Sequence, residues 1–176
     1  DRVPAWCGSS AEFWAKAKGA LGLDDEGLRL RFGDDFRRVF ARYAGPEFPL
    51  SPGATSRTPF GVERIGLGYG QPTAHPLAQA TPADVAAYPW PDPAWMDVSR
   101  IREEALAYGG RYAILGGDWS PFWHDLIDLV GMESMYLKMY DEPELIDAIL
   151  KRLVGYYAAV SRRIFEAAAG AIDIFF

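Results

Sequence analysis

Apolar positions recur at helical spacing near both ends of the chain and lose their rhythm in between. Phe13, Trp14, Ala17 and Leu21 predict a helix over Ala11–Leu21, with Gly22 to end it. A second short helix is predicted over Asp25–Phe32, with Leu28 and Phe32 on one face. Phe36, Arg38 and Phe40 then alternate with Arg37, Val39 and Ala41, a strand pattern. Residues 44–98 are irregular and hold most of the 13 prolines. Residues 62–67 and 73–77 read as two arms of a hairpin joined through Gly68, Gly70 and Pro72. Thr81 reads as the cap of a short helix with Pro82 at its first position. The run Tyr88-Pro89-Trp90-Pro91-Asp92-Pro93 forbids regular helix. This stretch is too apolar and aromatic for a flexible linker. It reads as an ordered excursion packed on the main body.

The rhythm returns at residue 99. A helix is predicted over 99–108 with Ser99 as its cap and Gly109-Gly110 as its end. Tyr112-Ala113-Ile114-Leu115-Gly116 has the composition of a strand covered on both faces. Ser120-Pro121 is read as cap and first position of a helix carrying Phe122, Leu126, Leu129 and Val130, closed by Gly131. Another short helix is predicted over 132–140. Asp141 and Glu144 are spaced as a capping box, opening a helix with the stripe Leu145, Ile149, Leu153, Tyr156, Val160, Ile164 and Ala168. Gly170 ends it, and 171–176 reads as the next strand. A strand–helices–strand order of this length implies parallel pairing in a right-handed βαβ unit. The expected fold class is α/β, a barrel or a doubly wound sheet, with too few strands to close either. The opening Asp1 and the apolar run that stops at Phe176 suggest a segment of a longer protein.

Composition narrows the classes. Hydrophobic residues are 49% and charged residues 24%, which excludes a disordered chain. The longest uncharged apolar runs fall well short of the roughly 20 residues a membrane helix needs. A net charge of −6 gives no pull toward nucleic acid. Cys7 stands alone, so neither an intrachain disulfide nor a Cys-rich zinc site is expected. A cytoplasmic location is the default for such a chain.

In parallel α/β folds, ligands gather at the carboxyl ends of strands. That rule selects Gly116-Gly117-Asp118-Trp119-Ser120-Pro121, where Asp118 would face the mouth of the sheet. Turn chemistry and a solvated carboxylate are the plainer account. Asp34-Asp35 between apolar residues offers a general acid/base or a cation-binding pair, against the alternative of a cap or turn. His124 follows Trp123 in the first turn after Pro121, with Asp128 four residues on and so on the same helix face. A lone His in such a turn is more often a packing residue, and His75 reads as structural. Trp90, Trp95, Trp119 and Trp123 suit either a pocket for a flat ligand or a core. Arg37, Arg38 and Arg57 are candidates for binding carboxylates.

Several runs carry a family resemblance. They are Leu21-Gly22-Leu23-Asp24-Asp25-Glu26, Phe32-Gly33-Asp34-Asp35-Phe36-Arg37, Pro59-Phe60-Gly61-Val62 and His75-Pro76-Leu77-Ala78. They continue with Tyr88-Pro89-Trp90-Pro91-Asp92-Pro93, Gly116-Gly117-Asp118-Trp119-Ser120-Pro121-Phe122, Gly131-Met132-Glu133 and Ala171-Ile172-Asp173. In this order the chain resembles the uroporphyrinogen decarboxylase superfamily, which also contains corrinoid- and cobalamin-dependent methyltransferases. The resemblance implies a TIM-type (β/α)₈ barrel, of which residues 1–176 would be the N-terminal part: a helical region, a Pro/Gly-rich excursion and the first barrel units. It implies a cytoplasmic lyase that removes carboxyl groups from a tetrapyrrole without a cofactor. Asp34 or Asp35 would be the family's aspartate, Asp118 and His124 further catalytic candidates, and Arg37, Gly117, Trp119 and Trp123 substrate-binding ones. The family's N-terminal Arg-Gln-x-Gly-Arg signature is replaced by Trp6-Cys7-Gly8-Ser9-Ser10, and its tyrosine position, counted from Pro121, is Ile127. The methyltransferase alternative implies zinc, held by residues after Phe176, with a corrinoid and a methyl donor. A non-catalytic fragment or binding module is the third reading. A small-molecule substrate, no nucleic acid, no membrane and a possible homodimer complete the expectations.

Overall fold

The computed structural model describes residues 2–66, 68, 70–117 and 119–175. Along the chain the helices are α1 (Ala11–Leu21), α2 (Asp25–Phe32), α3 (Pro82–Ala87), α4 (Ile101–Tyr108), α5 (Phe122–Val130), α6 (Met132–Asp141) and α7 (Pro143–Ala168). The strands are β1 (Phe36–Arg38), β2 (Arg42–Tyr43), β3 (Ser56–Arg57), β4 (Glu63–Ile65), β5 (Gln71–Pro72), β6 (Met96–Asp97), β7 (Ala113–Gly116) and β8 (Ile174–Phe175). The protein is mixed α/β. It divides into two compact units, the first made of residues 1–41, 98–117 and 164–176, the second of 42–97 and 118–163. No helix of the described residues is long and apolar enough to cross a membrane.

The first unit holds a parallel sheet in the order β1-β7-β8. Its central strand β7 is the one read as covered on both faces, and Ile114, Leu115 and Gly116 are buried. Asp173 ties β8 to β7, accepting from the Ile114 N–H at 2.8 Å and donating its own N–H to the Ile114 carbonyl at 2.9 Å. Helix α1 is capped by Ser10 and stopped by Gly22 in the left-handed region (φ 64°), where glycine carries no Cβ penalty. Phe13 and Trp14 of α1 pack on Phe32 of α2, with ring centroids 6.4 and 6.2 Å apart.

Arg37 on β1 is buried, 2% exposed. Its charge is satisfied on every side. Nε and Nη2 reach Glu26 at 2.8 and 2.7 Å, Nη1 donates to the Asp34 and Phe36 carbonyls, and the guanidinium lies 3.7 Å from the centre of the Tyr112 ring. A buried cation is tolerable only when paired and hydrogen-bonded in this way.

The second unit holds the antiparallel sheet β3-β4-β5, the two-stranded β2-β6 pair, α3, α5, α6 and most of α7. Its core centres on α7. The long apolar stripe is buried throughout this unit, from Leu145 (2% exposed) to Val160 (0%), and its last two positions, Ile164 and Ala168, are buried as part of the first unit. Phe60 is buried against Tyr156, with centroids 5.2 Å apart. The expected cap at Thr81 forms a full capping box with Asp84.

Four local expectations shift. The second hairpin arm is Gln71–Pro72 rather than 73–77, because His75 and Leu77 are hooked to α5 instead (His75 Nδ1 to the Asp128 carbonyl at 2.7 Å, Leu77 N–H to the Leu129 carbonyl at 2.8 Å). These bonds serve carbonyls that a helix end leaves unpaired. Helix α4 starts at Ile101, with Arg100 rather than Ser99 at the cap position. Helix α5 has Pro121, not Ser120, at its cap, since the first turn closes from the Asp125 N–H to the Pro121 carbonyl. Asp141 is the last residue of α6. The Lys138–Glu142 ion pair at 2.6 Å and the bond from the Glu142 N–H to the Lys138 carbonyl carry α6 to its end.

Gly116 has a packing role that its place in an apolar strand leaves unstated. A Cβ there would lie 2.5 Å from Ile172 Cδ1, 2.8 Å from Ile172 Cγ1 and 3.2 Å from Val39 Cγ2. Gly116→Ala should therefore lower stability by about 1–3 kcal/mol, the usual cost of overpacking. Urea denaturation checks this, and an unchanged midpoint would show that Ile172 moves aside freely.

Candidate functional site

The second unit contains a cavity of about 440 Å³, within the size range of small-molecule sites. Three helical residues reach it from one face of α5: His124, Asp125 and Asp128. Spacings of three and four residues put them there. Arg64 comes from β4, Pro72 from β5, Tyr157 from α7, and Trp119 and Pro121 from the segment before α5. Pro59 and Thr58 complete the apolar side.

The two aspartates are both buried but differently served. Asp128 (7% exposed) forms an ion pair with Arg64, whose Nε donates to Oδ2 at 2.9 Å and whose Nη2 bonds the same oxygen. Asp125 (5% exposed) has no such cation in contact; it accepts the Tyr157 O–H at 2.5 Å. Burial pushes the Asp125 carboxyl up to about 6, helped by the Asp128 charge and opposed by the Tyr157 bond, Arg64 and His124. Asp125 thus keeps its proton to a higher pH than an ordinary aspartate, as groups poised for proton transfer do. His75 donates Nδ1–H to the Asp128 carbonyl, which can only accept, so its tautomer is fixed by that bond. A Cβ on Gly131 would meet the His75 ring at 3.1 Å, so this glycine leaves room for the hook.

Of the residues singled out in the sequence, His124 and Trp119 line this cavity, their rings 6.2 Å apart. Trp123 packs on Tyr136 instead, at 6.5 Å. Asp118 lies outside the described residues. Gly117 follows β7 at the carboxyl end of the sheet, with φ 113°, a conformation that favours glycine.

Asp34, Asp35 and Arg37 gather in the first unit at the amino end of β1, the end opposite to the one where such sheets bind ligands. Asp34 (3% exposed) pairs with Arg29 at 2.9 Å and accepts from the Phe36 N–H. Asp35 accepts from the Ala5 N–H at 2.7 Å and pairs with Arg2. The Ala5 bond foremost, then Arg2, holds its carboxyl below the ordinary value. These side chains tie chain segments together.

Arg64, Asp125 and Tyr157 were not picked out as site residues in the sequence. The spacing of Asp125 and Asp128 on an otherwise apolar α5 is the signal that finds the carboxylates. Among the described residues no group of three or more His, Cys, Asp or Glu side chains is placed to hold a metal ion. With Asp128 committed to Arg64, the cavity's donors do not fit zinc.

The Asp125 proton is held more tightly in the folded state than in the unfolded chain, where the ordinary value is 3.8. Stability from this group is therefore full below about pH 4, declines as pH rises, and is lost above about pH 6. Asp125→Asn keeps an acceptor for Tyr157 and should raise the thermal midpoint near neutral pH while flattening that slope. A lower midpoint at neutral pH would mean that the fold needs the charge. Compared with known proteins, the chain matches no protein-family model, no curated protein and no solved structure.

Proposed function

We propose that the chain belongs to an enzyme of the uroporphyrinogen decarboxylase type, a carbon–carbon lyase acting on a small molecule that bears carboxyl groups, and that Asp125 is its proton donor. The parallel, sequential order β1-β7-β8 fits consecutive staves of a (β/α)₈ barrel. The observation that carries the reading is a buried carboxyl poised at about 6, in a cavity with an Arg64–Asp128 pair on one side and proline and tryptophan walls on the other. Tyr157 occupies Oδ2 of Asp125, leaving Oδ1 to carry the transferable proton. Apolar walls strip water from a departing carboxylate. Arg64, already oriented by Asp128, faces the carboxylates that stay. The bond from carbon to the carboxyl group breaks, its electron pair remains on carbon, and Asp125 delivers a proton there as CO₂ leaves. Water then returns the proton to Asp125.

The test substrate implied by the resemblance is uroporphyrinogen. Incubation should release CO₂ and yield products with fewer carboxyl groups. The rate should fall as pH rises through about 6, since the acid form of Asp125 acts. Asp125→Asn should lower kcat at least ~100-fold, the usual worth of a general acid. No turnover by the full-length enzyme that contains this chain would end the tetrapyrrole reading. Undiminished turnover in Asp125→Asn would remove Asp125 from the mechanism.

A further inference from the structure

The run Tyr88-Pro89-Trp90-Pro91-Asp92-Pro93 has no place in the acid site. Tyr88, Pro89 and Trp90 instead line a second cavity of the second unit, of about 620 Å³. Its aromatic walls are Tyr43, Phe48, Phe60, Tyr88, Trp90 and Trp95. Their rings meet at steep angles: Tyr43 stands at 87° to Trp95, and Phe60 and Tyr88 stand at 71° and 62° to Trp90. Rings set this way form corners, as the sides of a box do. Several polar handles are spent within the protein. The Tyr88 hydroxyl donates to the Phe60 carbonyl at 2.6 Å, Trp90 Nε1–H to the Val85 carbonyl at 2.8 Å, and the Tyr43 hydroxyl to the Pro46 carbonyl at 3.1 Å. What these rings offer a ligand is π surface. Gly45 keeps one corner closed, since a Cβ there would lie 2.6 Å from the Tyr43 oxygen and 2.9 Å from Trp95 Cβ.

The charges around the box favour one sign. Glu47 and Arg57 are its charged lining residues. Arg57 is already paired with Glu63 at 2.5 Å, and its guanidinium also lies 5.6 Å from the centre of the Phe48 ring. Hydrogen bonds from Ser51 first, and then from Arg57, hold the Glu63 carboxyl at about 2, so it is ionised at neutral pH. Glu47 therefore adds a negative charge that the Arg57–Glu63 pair does not cancel. Aromatic faces carry the negative side of the ring quadrupole and attract cations.

We propose that this box binds an organic cation, a quaternary or methylated ammonium group, with the ring faces as its walls and Glu47 as its counter-charge. A neutral flat ligand would gain nothing from Glu47, and an anion would be repelled by it. The proposal stands independently of the reaction assigned to Asp125.

Isothermal titration of the chain with choline and with its uncharged carbon isostere 3,3-dimethylbutan-1-ol separates these cases. Choline should bind saturably and at least tenfold more tightly than the alcohol. Trp95→Leu and Glu47→Gln should each shrink that ratio. Glu47 is exposed, so its variant keeps the packing and covers the case in which Trp95→Leu misfolds. Equal affinity for the two probes, or no saturable binding of choline, would overturn the proposal.

Discussion

Asp128 is a buried carboxylate whose charge the second unit can hold only because Arg64 reaches it across 64 residues of sequence. Removing one partner of such a pair leaves an uncompensated charge, at a cost of about 3–5 kcal/mol. The pair fixes β4 against α5 and so decides where the rest of the cavity lies. Asp125, one turn earlier on the same helix face, is thereby held beside that ion pair. Burial, helped by the Asp128 charge, is what keeps the Asp125 proton in place to about pH 6. The carbonyl of the same Asp128 takes the His75 hook, which draws the 75–77 segment away from the sheet and onto the end of α5.

The first unit uses buried charge differently. Arg37 and Asp34, both buried, and the half-buried Asp35 have partners on neighbouring segments. Their bonds join α2, β1 and the start of the chain at the amino end of the sheet. Buried charge there holds a junction, whereas in the second unit it adds to the burial that raises the pKa of a neighbour. The difference lies in the second carboxyl. Asp125 has a hydroxyl donor in place of a cation, and it faces a cavity.

What was legible in the sequence was local. The α7 stripe, the Gly22 stop and the Thr81 cap each depend on residues within a turn or two, and each formed as read. Parallel pairing of β7 with β8 followed from the length of the crossover. Candidate chemistry was less legible because its partners are distant. Arg64–Asp128 and Tyr157–Asp125 are 64 and 32 residues apart, and no spacing rule links them. Asp34-Asp35 drew notice because two charges stood between apolar residues. The arginines that engage them, Arg29 and Arg2, carry no such signal. The shifted starts at Ser99, Ser120 and Asp141 show the same limit: cap residues were present, but the bonds that closed the turns ran to their neighbours.

One short turn joins the acid cavity to the aromatic box. Thr58 and Pro59 line each of them. The turn from Thr58 to Val62 is stiff for reasons that can be named. The Thr58 N–H donates to the Val62 carbonyl, the Gly61 N–H to the Thr58 carbonyl, and the Val62 N–H to the Thr58 hydroxyl. Gly61 sits at φ 83°, where a side chain would be strained. A Cβ there would also approach the Tyr88 hydroxyl at 3.4 Å, and that hydroxyl is what bonds the Phe60 carbonyl. Phe60, at the head of the turn, is driven into the core against Tyr156, so the turn cannot swing without unpacking α7. The wall between the acid cavity and the aromatic box is thus a hydrogen-bonded partition anchored in the core. The irregular Pro/Gly-rich stretch that breaks the chain's hydrophobic rhythm supplies this partition, and regular helix or strand could not turn so sharply there.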